Sequence, residues 1–340
     1  MPPGPRPGSA PTMRDIAAEA GVSKALVSIV FRGAPGASEA TRRKVFEAAD
    51  RLGYRANRSA SLLARTRTNQ LGVVLDLHNG FHAEIVEAAL TQAEAAGYHL
   101  VLGPRAAGRD ERSAIEGLLE FRCEAMLLLG PTLDADELAH LAADTPVVCI
   151  GRQARGGDLD VIRSADDVGM ELVVDHLVAL GHRHLAHVDG GAGDIPAARR
   201  AGFERAVRRH RLVGRSVVVP GGSTEEDGRR AARSLLERTR RPTAIAAYND
   251  RSALGVIDAV TRAGLRVPVD VSVTGFDDSP IAALATIDLT SVNQDATRLG
   301  AGAVRAALER LDEGRTTPRE LTLTPALVAR GTSAAAPAAP

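Results

Sequence analysis

Tryptophan is absent from this 340-residue chain, which has only six phenylalanines and three tyrosines. A ligand that stacks on aromatic rings therefore finds few of them here. Cysteine is nearly absent too. Cys123 and Cys149 each sit beside an apolar run and form no spaced framework, so they read as reduced core residues of a cytosolic protein. No run of about 18 apolar residues occurs, and nothing is expected to span a membrane. The opening MPPGPRPGSAP has no apolar segment of the kind a signal peptide needs. Catalytic signatures are missing as well. There is no G-x-S-x-G and no P-loop, and in the GGAGD stretch Pro196 stands where a dinucleotide cradle needs its third glycine. His182 of GHRHLAH belongs to a turn, while His184 and His187 point to opposite faces at a strand start, so no metal or other cofactor is expected. Asp277 and Asp278 would face opposite ways on an extended chain, which removes them as a carboxylate dyad. The sequence points away from an enzyme.

The formal net charge is zero, but the charge is unevenly placed. Residues 1–70 hold 12 Lys+Arg against 5 Asp+Glu, an excess of +7; by difference from totals of 42 and 42, the other 270 residues carry −7. A basic N-terminal module on an acidic body is the asymmetry expected when one end meets phosphates. With 44% hydrophobic and 25% charged residues the chain is globular, and its length calls for two or three domains.

Residues up to 68 read as short helices. Thr12 with Asp15 three residues on opens MRDIAAEA in the manner of a capping box, and Gly21 ends it. Ser23 caps KALVSIVF, and Ser38 opens EATRRKVFEAADRL, closed by Gly53. Ala20-Gly21-Val22-Ser23 is too short for anything but a sharp turn between two helices. The second helix would present Lys24, Ala25, Ser28 and Ile29 outward, as a helix entering a DNA major groove does. A plain three-helix packing unit would give the same pattern. From Leu71 onward, short, nearly continuous apolar runs alternate with helical periods in two successive series. This predicts parallel sheets covered on both faces in two Rossmann-like subdomains, with a ligand cleft between them.

The segments TMRDIAAEAGVSKALVSIVFRG, SEATRRKVFEAADRLGYRAN and NRSASLLA resemble the lactose-repressor (LacI) family of transcription regulators, and the likeness continues to about Arg330. The resemblance implies an all-α helix-turn-helix headpiece joined to an α/β periplasmic-binding-protein-like sensor. The corresponding boundaries are a disordered tail at 1–11, a DNA-binding domain at 12–56, a hinge helix and linker at 57–69 and an effector domain at 70–330. Within the last, one subdomain takes about 70–164 and 295–322, the other about 165–294 and 323–330; residues 331–340 form a second tail. It further implies DNA contacts from Thr12, Ser23, Lys24, Ala25, Ser28, Ile29, Tyr54, Asn57, Arg58 and Ala60, and a minor-groove wedge at Leu63 on a hinge helix that folds on DNA. Leu26 and Ile29 depart from the family's usual recognition helix, and with them the usual operator.

In the sensor, LDLHNGFHAE matches a ligand-loop motif through Asn79 and Phe81. His82 replaces an aromatic there and points to a polar or charged effector, although a partly exposed surface histidine would read the same. Likeness to the family adds Arg152, Arg199 of R-x-x-G-F as anchor, Asn249, Asp277 and Gln294. A small polar effector, with a sugar favoured, would then control a homodimer on a pseudo-palindromic operator. A tetramer stays open, and so does the choice between repressor and activator. Gly222-Ser223-Thr224 stands where sugar-binding members often carry an aromatic residue.

Overall fold

In the computed structural model Thr12 accepts from the Arg14 amide and pairs reciprocally with Asp15, so the expected capping box opens helix α1 (Met13–Ala20). Gly21 then takes φ +64°, a conformation glycine adopts without penalty, and turns the chain toward α2 (Lys24–Phe31). Ser23 caps α2 through the Leu26 amide, and Ser38 caps α3 (Glu39–Arg51) through Thr41. Ile16, Val27, Val30, Val45, Ala48 and Ala49 are buried together where the three helices meet. Each fully buried Val or Ile contributes about 1.5–3 kcal/mol, which holds so small a unit together. Phe31 extends this core edge-on to Phe46 at 5.6 Å and beside Tyr54 at 5.5 Å.

The structure describes residues 11–31, 34–54, 67–153 and 157–337, and its chain divides into two units, Met1–Thr68 and Asn69–Pro340. The tail at 1–10 and the hinge positions 57–66, including Asn57, Arg58, Ala60 and Leu63, lie outside the described residues. The linker expected to run to residue 69 ends earlier. Thr68 is buried, and the Asn69 carbonyl accepts from the His99 amide at 2.9 Å, so Asn69 already belongs to the second unit.

That unit holds two parallel sheets. In order along the chain come β1 (Gln70–Asp76), α4 (Gly80–Ala95), β2 (His99–Arg105), α5 (Glu111–Glu120), β3 (Ala125–Leu129), α6 (Ala135–Asp144), β4 (Val147–Ile150) and β5 (Asp160–Ser164). The second series follows as α7 (Asp166–Ala179), β6 (Leu185–Val188), α8 (Asp194–Arg209), β7 (Ser216–Val219), α9 (Glu225–Leu236), β8 (Ala244–Ala246), α10 (Asp250–Arg262) and β9 (Ser272–Thr274). The chain ends through β10 (Ser291–Asn293), α11 (Ala296–Leu311), β11 (Glu320–Leu323) and β12 (Ala326–Val328). The first sheet has the order β11-β5-β4-β3-β1-β2, the second β7-β6-β8-β9, and β10 pairs antiparallel with β12. Every residue of β3, β4 and β6 is buried, as expected for strands covered on both faces. Because α11 packs on the first sheet and β12 returns to pair with β10 in the second subdomain, the chain crosses between subdomains three times, near residues 165, 295 and 325.

The tail expected at 331–340 is ordered through residue 337. The Val273 amide donates to the Thr332 carbonyl at 2.8 Å, Ser333 meets Thr290 and His176, and the Ala336 amide donates to the Leu180 carbonyl. Small residues fit along the free edge of β9, where a composition-based reading saw only low complexity. Among the described residues no helix is long and apolar enough to cross a membrane.

Candidate functional site

On the first unit the buried face of α2 is set by Val27 and Val30. Lys24 and Ala25 on the other side are exposed, and Ser28 and Ile29 half-buried. The four side chains expected to read bases therefore share the outward face. Thr12 and Ser23 have their hydroxyls engaged as caps, and Tyr54 packs its ring on Phe31. Gly21 and Val22 complete a helix-turn-helix in which the Val22 amide donates back to the Ala17 carbonyl at 3.0 Å.

On the second unit a cleft of about 630 Å³ opens at the carboxyl ends of both sheets. All eight candidate effector residues line it: Asn79, Phe81, His82 and Arg152 from the first subdomain, with Arg199, Asn249, Asp277 and Gln294 from the second. Strand ends in open α/β sheets expose backbone and loop side chains to one crevice, so convergence there follows from the topology.

Arg199 is the centre of the site. Its side chain is 4% exposed, its Nε donates to Asp166 Oδ1 at 2.7 Å, and its Nη1 donates to the Tyr248 carbonyl at 2.7 Å. The guanidinium lies 3.6 Å from the Phe276 ring centroid and 4.7 Å from that of Tyr248. Gly202 explains the geometry. A Cβ there would collide with the Asp167 carbonyl, so only glycine lets α8 cross α7 closely enough for Arg199 to reach Asp166. Asp277 Oδ1 accepts from Gln294 Nε2 at 2.8 Å and stands 3.7 Å from Arg199. Burial raises Asp277 well above the usual carboxylate range, with Arg199 pulling the other way. The extended backbone assumed for Asp277 and Asp278 is not found, since they take φ +113° and +52°. Their side chains nevertheless diverge, Asp278 going to Arg330 at 2.6 Å and to Asn293.

His82 is buried rather than a surface residue. Its Nδ1 accepts from the Asp76 amide at 3.1 Å, and burial together with Arg105 lowers its pKa to about 4. It is a neutral ring with its proton on Nε2, which argues against recognition through a positive imidazolium. Asn79 and Asn249 cap α4 and α10 through the Phe81 and Ser252 amides, and Asn249 Nδ2 also donates to the Ser223 carbonyl. Arg152 spans the cleft. It donates to the carbonyls of Pro131 and Leu133 on its own side and to Asp194 at 2.6 Å on α8. A second link runs the other way, from Arg251 Nη1 to the His78 carbonyl at 2.6 Å, with Glu225 holding the rest of the fork.

Sequence reasoning missed Tyr248, Asp166, Asp194 and Arg105. Tyr248 adjoins Asn249 and lies flat on Gly190, where a Cβ would collide with its ring. Its place beside Asn249 in a strand-end motif was the signal that could have flagged it. Arg105, held by Glu111 at 3.6 Å and the carbonyls of Leu129 and Gly130, carried no motif. Two of the three clustered histidines serve the fold: His182 bonds Thr243 and Ser272, and His187 bonds the Ala246 carbonyl and stacks on Phe203.

Comparisons with known proteins agree with this division. Residues 12–57 match the model of bacterial regulatory proteins of the lacI family, and residues 174–333 match a periplasmic binding protein-like domain. The HTH-type transcriptional regulator reg1 of Streptomyces lividans is 34% identical, over 96% of this chain and 97% of its own. Among solved structures, the lac repressor dimer bound to operator and an anti-inducer superposes with a TM-score of 0.81 at 29% identity, covering 96% of this chain and all of that one. The transcriptional regulator CelR in complex with cellobiose gives 0.69 at 29% identity, over 95% and 99%. Helix-turn-helix headpiece, two-subdomain sensor and full-length similarity agree: the chain belongs to the LacI family of bacterial transcriptional regulators.

Proposed function

We propose that this regulator binds a pseudo-palindromic operator as a homodimer and that a neutral sugar in the cleft controls its occupancy. One observation carries the choice of effector class. Every arginine lining the cleft already has a protein carboxylate: Arg105 has Glu111, Arg152 has Asp194 and Arg199 has Asp166. A phosphate or carboxylate ligand would have to compete with those partners, whereas hydroxyls can use the remaining donor and acceptor positions. The neutral His82 and the carboxyl group of Asp277 suit a polyol, and Tyr248 supplies the ring face for its apolar side. The relative with cellobiose in place and the lac repressor on its operator support the same reading. Its workplace is the cytoplasm, where operators are, and it catalyses no reaction.

Ser23, Lys24, Ala25, Ser28 and Ile29 face the major groove, with Thr12 and Tyr54 at the phosphates. The hinge residues Asn57, Arg58 and Ala60 follow the minor groove, and Leu63 wedges its base steps. Effector binding changes the angle between subdomains and so the spacing of the two hinges. The test is a thermal-shift screen of the full-length protein against neutral sugars, sugar phosphates and nucleobases, followed by operator gel shifts with the hit. A neutral sugar should raise the melting midpoint and change operator affinity. Stabilisation by sugar phosphates alone would overturn the choice of class.

A further inference from the structure

The second sheet has a functional-looking feature at its other end. Away from the cleft, at the amino ends of β6, β7 and β8, lies a separate cavity of about 550 Å³. Arg215 enters it immediately before β7, and Arg238 and Arg240 enter from the loop between α9 and β8. His184, Ser216 and Thr239 complete its polar lining. No acidic residue and no Phe or Tyr ring lines it.

Many arginines of the unit are held by acids, whereas the three that share this cavity are not. Arg112, Arg205, Arg209, Arg310 and Arg315 are each paired with at least one carboxylate. Among the described residues Arg215, Arg238 and Arg240 have no carboxylate within 4 Å, and all three are exposed. Convergence of three like charges from two loops is unfavourable by itself, and it occurs on a body whose net charge is negative. An anion in the cavity would offset that repulsion. Ser216 adds a second sign: its Oγ is buried and has no hydrogen-bond partner.

The chemistry of the anion follows from shape. Guanidinium forks match phosphoryl oxygens bidentately. The volume falls in the roughly 300–1,000 Å³ range of small-molecule sites. We propose that this cavity binds a small ligand through its phosphoryl groups, at a site independent of the effector cleft.

Inorganic pyrophosphate is the probe, titrated calorimetrically into the full-length protein. We expect one pyrophosphate per chain at this cavity and at least a tenfold loss of affinity in the combined variant R215A/R238A/R240A. Arg305→Ala removes an exposed arginine on α11 that also lacks a carboxylate partner, and it should leave affinity unchanged. The triple variant should keep its melting midpoint, because the substituted side chains are exposed and unpaired. Absence of pyrophosphate binding, equal affinity in the triple variant through binding elsewhere, or equal loss in Arg305→Ala would each overturn the proposal. Unchanged response of the triple variant to the cleft effector keeps this outcome separate from the fate of the sugar reading.

Discussion

Arg199 combines a permanent charge with near-complete burial, and its worth lies in what its removal would strand. Arg199→Ala leaves Asp166 in the interior without its partner, so we expect a loss of about 3–5 kcal/mol of stability, read by urea unfolding. Loss of effector response in that variant would therefore report the scaffold as much as the ligand contact. Tyr248→Ala is the cleaner probe of the ligand, and sugar affinity should fall by roughly 1–3 kcal/mol, or about 5–150-fold, by analogy with other buried aromatic contacts. His82 and His187 are both held near 4 by burial. A histidine whose folded pKa lies below its unfolded value of 6.5 is harmless above pH 6.5 and costs stability as pH falls toward 4. The protein should lose stability across that window, and the two ring signals should stay those of neutral imidazole at pH 6 in NMR spectra. Glu84 runs the other way. Burial, with Asp278, Asp250 and Glu87 nearby, pushes it up to about 7 from 4.5, so its penalty builds as pH rises from 4.5 to 7 and is complete above that. Glu84→Gln should stabilise the protein most at pH 8, with the gain shrinking as pH falls from 7 to 4.5.

At the scale of elements, the helix ends and the cleft contacts carry different weights. Thr224 caps α9 in a capping box with Asp227, and Thr224→Ala should cost about 1 kcal/mol. The Arg152–Asp194 contact joins β4's end to α8 across the cleft, but Asp194 is half exposed, so its contribution is at most about 1 kcal/mol. Asp194→Asn is expected to favour the open cleft and weaken the effector response by no more than about fivefold, measured as the midpoint of operator release. Capping was legible in the sequence because Thr12, Ser23 and Ser38 act on amides two or three residues away. Gly202 was legible only as part of a motif. Its physical reason, backbone contact between α7 and α8, needs both helices in place.

At the scale of the molecule, the ordered C-terminus is the main departure from expectation. Truncation after Arg330 should lower the melting midpoint, because it removes Thr332, Ser333 and Ala334 from Val273, Thr290, Ser272 and His182. The headpiece prediction rests on charge: full-length protein should bind operator with a steep salt dependence that the acidic sensor alone lacks. The sequence determined the helix-turn-helix, the alternation into two parallel sheets and the eight residues that line the cleft, since periodicity, caps and family motifs are local or recurrent. The opening asymmetry of charge survives as the division into two units. Only the tertiary structure decided that each cleft arginine is matched by an acid, for Arg152 and Arg199 from a distant segment, that Tyr248 and Arg105 join the site, and that His82 is neutral. It also decided that unpaired arginines gather at the far end of the second sheet. Those outcomes depend on burial and on which loops meet, and neither is encoded at any single position.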